Sequence, residues 1–121
     1  MRKLRHPDRL GLHLRVVLEG TSVIGPGKAD LLEGISQSGS IAAAGRAMGM
    51  SYKRAWQLVE ALNTGFRTPL VDAAKGGAGG GGAALTPLGA EVLAAYRKLQ
   101  AAAERAGAAP LAALGRAVRR S

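Results

Sequence analysis

The sequence contains no cysteine, which excludes disulfides, thiolate catalysis and cysteine-ligated metal sites. Aromatic side chains are scarce, with Tyr52, Trp56, Phe66 and Tyr96 the only four. The core must therefore be made of Leu, Ala, Val and Ile, which suits short helices packed closely. Acidic residues are also few, 8 Asp and Glu against 17 Lys and Arg, for a formal charge of +9. That imbalance points to a polyanionic partner, nucleic acid before an anionic membrane surface. Much of the positive charge lies towards the two ends, at Arg2, Lys3, Arg5, Arg9 and Arg15 and at Arg105, Arg116, Arg119 and Arg120.

Long hydrophobic runs are missing too, and Pro7, Asp8 and Arg9 interrupt what would be the apolar stretch of a signal peptide. A cytoplasmic, nucleoid-associated protein with no membrane role is expected. His6 and His13 are the only histidines and are not placed to form a metal site. The carboxylates show no paired arrangement on one helix face that would suggest acid–base catalysis. The glycine run lacks the Gly-x-x-x-x-Gly-Lys-Ser/Thr pattern of a nucleoside triphosphate cradle, since Lys75 precedes the glycines. Neither an enzyme nor a bound cofactor is expected.

A chain of 121 residues is long enough for one domain with a single core. Residues 1–11 read as a basic N-terminal arm placed for phosphate contacts, 12–107 as the folded domain and 108–121 as a basic C-terminal tail. From Leu12 to Leu18 apolar residues alternate with His13, Arg15 and Val17, the period-two pattern of a strand. Thr21 to Gly27 reads as a turn because of its surrounding glycines and Pro26. A first helix is expected from Lys28 to Gln37, stopped by Gly39. Ser40 can cap a second helix, Ile41 to Met48, made almost wholly of small residues. Ser51 can cap a third, from Tyr52 to about Thr64.

Leu70 to Ala74 and Ala83 to Thr86 read as the strands of a hairpin whose tip, Lys75 to Gly82, is too rich in glycine for regular structure. Thr86 followed by Pro87 is a good start for a long fourth helix that ends near Gly107. A short amphipathic helix can follow Pro110, with Leu111, Leu114 and Val118 in one stripe. The fold class is mainly α with a small β component, a winged helix-turn-helix.

Two helices joined by a tight turn, with Gly45 and Gly49 at the junction, match the unit whose second helix enters the DNA major groove. At about 100 degrees per residue, Ala55, Val59, Leu62 and Phe66 fall on the core side of the third helix. Lys53, Gln57, Glu60 and Thr64 then point outward, with Arg54 and Trp56 on the flanks. Lys can donate to guanine acceptors and Gln can pair with adenine. Trp56 suits either packing against the first helix or a DNA contact, and both readings stand.

Ser38-Gly-Ser-Ile41, Ser51-Tyr-Lys-Arg-Ala-Trp56, and Gly76 to Gly82 followed by Leu85-Thr-Pro-Leu-Gly89 resemble the N-terminal domain of ModE-type molybdate-responsive transcription regulators. The resemblance runs from about Lys28 to Leu99, and that domain is in turn similar to the winged helix of LysR-type regulators. It implies a homodimer on palindromic double-stranded DNA, contacted by the third helix and the wing. Carried over, the contact residues are Ser51, Tyr52, Lys53, Arg54, Trp56 and Gln57, with Lys75, Gly76, Gly77, Gly79 and Gly80 in the wing. Members usually add C-terminal molybdate-binding modules, for which the 121 residues leave no room. Molybdate or another oxyanion would then be bound in some other way or by another protein. Two other functions are open: a small oxyanion-binding protein of molybdate metabolism, and a nucleoid protein that binds DNA without sequence preference. The dimer is expected to form through the apolar face of the fourth helix, Leu88, Val92, Tyr96 and Leu99, with the tail stripe beside it, or else through the first strand.

Overall fold

Pro26 opens helix α1 (Pro26–Ser38), where its missing N–H costs nothing because the first turn has no acceptor for it. The helix ends at Gly39, whose φ of 72° is left-handed and whose N–H bonds back to the Ile35 carbonyl. Leu31, Leu32 and Ile35 recur at helical spacing and are fully buried. They form the centre of the core. The computed structural model describes residues 11–19, 21–73 and 82–119, and for Thr21 and Ser22 only the backbone. The greater part of the basic arm and the tip of the glycine hairpin lie outside the described residues.

Before α1 the chain forms an antiparallel pair, β1 (Val16–Leu18) with β2 (Thr21–Ile24). This corrects two expectations. The stretch from Thr21 is not a turn, because Thr21, Val23 and Ile24 are β-branched and extend against β1; α1 consequently starts at Pro26. Glu19, the last described residue before β2, has a left-handed φ of 52°. The expected strand over Leu12 to Leu18 pairs only in its last three residues, since β2 is too short to reach the rest. Leu12, Leu14 and Val16 are half-buried and His13, Arg15 and Val17 exposed, as alternation requires, but Leu18 is exposed at the hairpin end.

Helix α2 (Ile41–Ala47) and helix α3 (Tyr52–Gly65) follow, each with a serine cap. Ser40 Oγ accepts from the Ala43 N–H at 3.0 Å, and Ser51 Oγ from the Arg54 N–H at 3.1 Å. Strands β3 (Val71–Ala73) and β4 (Ala83–Leu85) pair antiparallel, Val71 opposite Leu85 and Ala73 opposite Ala83. Helix α4 (Pro87–Ala106) is capped by Thr86, and helix α5 (Ala108–Ala117) continues after Gly107. The tail helix thus begins before Pro110, which its first turn tolerates for the same reason as Pro26.

The apolar face of α4 is largely used within the chain. Tyr96 is 3% exposed, and Leu88, Val92 and Leu93 pack on the core. Tyr96 donates its hydroxyl to the Leu14 carbonyl at 2.6 Å, and Arg97 bonds to Asp30 at 2.7 Å and Glu33 at 3.1 Å. These contacts hold α4 to the N-terminal segment and to α1. Burial alone would lower the Arg97 pKa, but the hydrogen bonds and charges of Asp30 and Glu33 outweigh it and raise the value. A face expected to meet a second chain is therefore covered by the chain itself as far as Tyr96. Leu99 in α4 and Leu114 and Val118 in and after α5 stay exposed.

Candidate nucleic-acid interface

The helix-turn-helix depends on how closely α2 and α3 approach. A Cβ on Gly45 would lie 2.9 Å from that of Ala55, closer than two carbons can stand. Gly49 takes a φ of 73° in the connecting turn, a conformation that disfavours other residues. Backbone bonds close the turn, with the Gly49 N–H reaching the Arg46 carbonyl and the Met50 N–H the Gly45 carbonyl, both at 3.0 Å. Ala55, Val59 and Leu62 are buried against α1 and α2, and Phe66 is half-buried. The opposite side of α3 is consequently held towards solvent.

Tyr52, Lys53, Arg54 and Gln57 are all exposed on that helix, together with Glu60 and Thr64. Ser51 is also exposed, but its hydroxyl already serves as the cap. The Thr64 hydroxyl turns back to the Glu60 carbonyl at 2.9 Å, so its outward position does not make it a free donor. Trp56 is half-buried against the core with its indole Nε1 buried and without a hydrogen-bond partner. Its ring meets that of Tyr52 edge-on, centroids 6.1 Å apart. Lys75, Gly76, Gly77, Gly79 and Gly80 lie outside the described residues.

Asn63 positions the wing. Its side-chain oxygen accepts from the Leu70 and Val71 N–H groups at 2.9 Å each, and its amide donates to the Val71 carbonyl at 3.2 Å. The other strand is tied by the Ala83 N–H to the Gly39 carbonyl at 2.9 Å. Thr86 caps α4 and donates to the Pro69 carbonyl at 2.8 Å, while a Cβ on Gly89 would collide with the Leu70 carbonyl oxygen. The strands on either side of the glycine segment are therefore tied at different places, β3 to α3 through Asn63 and β4 to the end of α1 through Gly39.

Two positions were passed over by the sequence reading. Arg46 is an exposed cation in the last turn of α2, where the first helix of such a unit crosses a DNA backbone; its signal was a lone charge in a helix of small residues. Asn63 gave none, because its partners lie seven and eight residues on, at the start of β3, beyond the reach of local pattern.

No family model matches the chain. Over 87 residues it is 48% identical to the molybdenum-pterin-binding protein MopB of Rhodobacter capsulatus, covering 71% of this chain and 32% of that protein. It is 46% identical over 70 residues to the molybdenum transport protein ModE of Herbaspirillum seropedicae, covering 58% and 26%. It is 41% identical over 71 residues to the DNA-binding transcriptional dual regulator ModE of Escherichia coli strain K12, covering 59% and 27%. The chain carries a ModE-type domain. It spans about a third or less of the length of these relatives. Among the described residues of this ModE-type domain, the elements of a winged helix-turn-helix follow in order from α1 to α4. Among the described residues, no group of three or more His, Cys, Asp or Glu could hold a metal ion, and no helix is long and apolar enough to cross a membrane.

Proposed function

We propose that the chain is a sequence-specific DNA-binding domain of a transcription regulator, not an enzyme, and acts as a homodimer at paired half-sites. The observation that carries this reading is the exposed row at the start of α3. Tyr52, Lys53, Arg54 and Gln57 stand clear of the core on a helix that the Gly45–Ala55 approach holds outward. Lys53 and Gln57 lie about one turn apart and supply a donor for guanine and a bidentate partner for adenine. Ser51 and Tyr52 at the helix start and Arg54 and Trp56 on its flanks face the groove walls, where phosphates lie. Lys75 and the glycines Gly76, Gly77, Gly79 and Gly80 would bring N–H groups and a cation to the adjacent backbone.

The dimer is supported by apolar surface that one chain leaves open: Leu99 in α4, Leu114 in α5 and Val118 after it, and Val17 and Leu18 on the hairpin. Selection from a random duplex pool tests the function. A recovered two-fold-symmetric sequence is the expected result, and equal retention of all sequences would replace this reading with non-specific packaging of DNA. A second reading, oxyanion binding, is favoured by the relatives named molybdenum-pterin-binding proteins. Stabilisation of the chain by molybdate in a thermal melt would support it.

A further inference from the structure

Trp56 is the sole tryptophan, and its indole Nε1 is the one buried side-chain nitrogen or oxygen among the described residues that lacks a hydrogen-bond partner. Such a group destabilises a free protein, because the N–H has left water and gained nothing in return. A tryptophan needed only for packing would be served as well by a ring without a donor. Beside it on α3 stands Tyr52, one turn earlier, whose ring meets the indole at an interplanar angle of 73° and which is itself 60% exposed. A ring that exposed can turn away without disturbing the core. Trp56 also lies on the flank of α3, about 100 degrees from Gln57, and flanks of a helix in the major groove meet the phosphate walls.

On the strength of the DNA-binding reading above, we propose that the Trp56 indole N–H is a donor to a DNA phosphate, covered beside Tyr52 in the free chain and released when Tyr52 turns aside on docking. The unmatched donor then has an acceptor in the complex. Its contact adds affinity for any sequence rather than choice among sequences, since phosphates are the same throughout.

The decisive experiment replaces Trp56 with 3-benzothienylalanine, which keeps the ring shape and puts sulfur where the N–H was. The expected result has two opposite parts. The melting temperature of the free chain stays the same or rises, while affinity falls about tenfold, equally on the selected duplex and on a scrambled one. A lower melting temperature would show that the N–H already has a partner, and an unchanged affinity that it never reaches DNA; either overturns the inference while the unmodified chain still binds its site. A loss confined to the selected duplex would mean a base contact and also overturns it. Failure of the unmodified chain to bind any duplex would instead remove the DNA-binding reading on which the inference rests. Should the analogue not fold, Trp56→Phe measured well below its melting temperature reads the same affinity. Tyr52→Ala tests the cover: the Trp56 emission of the free chain should shift to longer wavelength as water reaches the indole, and an unshifted emission overturns the part assigned to Tyr52.

Discussion

Lys53 and Gln57 are exposed and contribute no packing, so replacing either with Ala should leave the fold intact. If they read base edges, each change costs about 1 to 3 kcal/mol on the selected duplex and much less on random DNA, which paired titrations would measure. Val59, on the core side of α3 and 1% exposed, should behave in the opposite way. Val59→Ala removes buried methyl groups, lowering stability by about 2 kcal/mol in a denaturant melt with little change in sequence preference. Equal losses on both duplexes for both outward variants would show that α3 does not read sequence. Tyr96 carries a pH dependence of its own. Desolvation by burial raises its pKa above the ordinary value of 10.0, Arg97 pulling it down and Asp30 up. The folded chain therefore holds the phenol proton more tightly than the unfolded one, so this contribution is complete below about pH 10 and lost as the pH climbs through the raised value. Tyr96→Phe should lose the bond to Leu14 and show a shallower fall in stability above pH 10 than the unmodified chain.

Among the elements, the wing depends most on a single side chain. Both strands are three residues long, too short to hold a position unaided, and Asn63 fixes the start of the first with three hydrogen bonds. Asn63→Ala leaves the N–H groups of Leu70 and Val71 without that acceptor and should cost about 2 kcal/mol or more. Because the wing then drifts relative to α3, DNA affinity should fall as well, although the Asn63 amide is already used on the Leu70 and Val71 backbone. Unchanged affinity at a temperature where the variant is folded would mean that the wing makes no contact. The caps and turn glycines of α1, α2 and α3 were legible in advance because each acts within about four residues. The N-terminal hairpin was not, since the glycines around Thr21 to Gly27 outweighed the β-branched residues between them, and the partner strand that decides the matter is itself short.

At the scale of the molecule, the unresolved balance is between apolar faces and the surface available to cover them. The chain covers α4 as far as Tyr96, leaving Leu99 48%, Leu114 63% and Val118 64% exposed. Homodimerisation would bury them, and sedimentation at micromolar concentration should then show a species of twice the 12.3 kDa chain mass. Leu114→Glu should return it to one chain and weaken binding to a two-fold-symmetric duplex, while binding to a half-site stays as it was. A single-chain species throughout would rule out the paired half-site arrangement.

The helix-turn-helix, its serine caps, the outward side of α3 and the ModE resemblance could all be read from the chain, because periodicity, capping and turn chemistry are local and leave short-range patterns. How far along its length the apolar stripe of α4 meets the core was not readable. Tyr96 and Leu99 look alike on a helical wheel, yet the first is 3% exposed and the second 48%. The difference comes from partners distant in sequence: Leu14 lies 82 positions from Tyr96, and Asp30 lies 67 from Arg97. The orphaned donor of Trp56 and the anchoring by Asn63 belong to the same class. Burial and hydrogen-bond satisfaction are properties of the whole packed chain, so they exist only once distant segments have met.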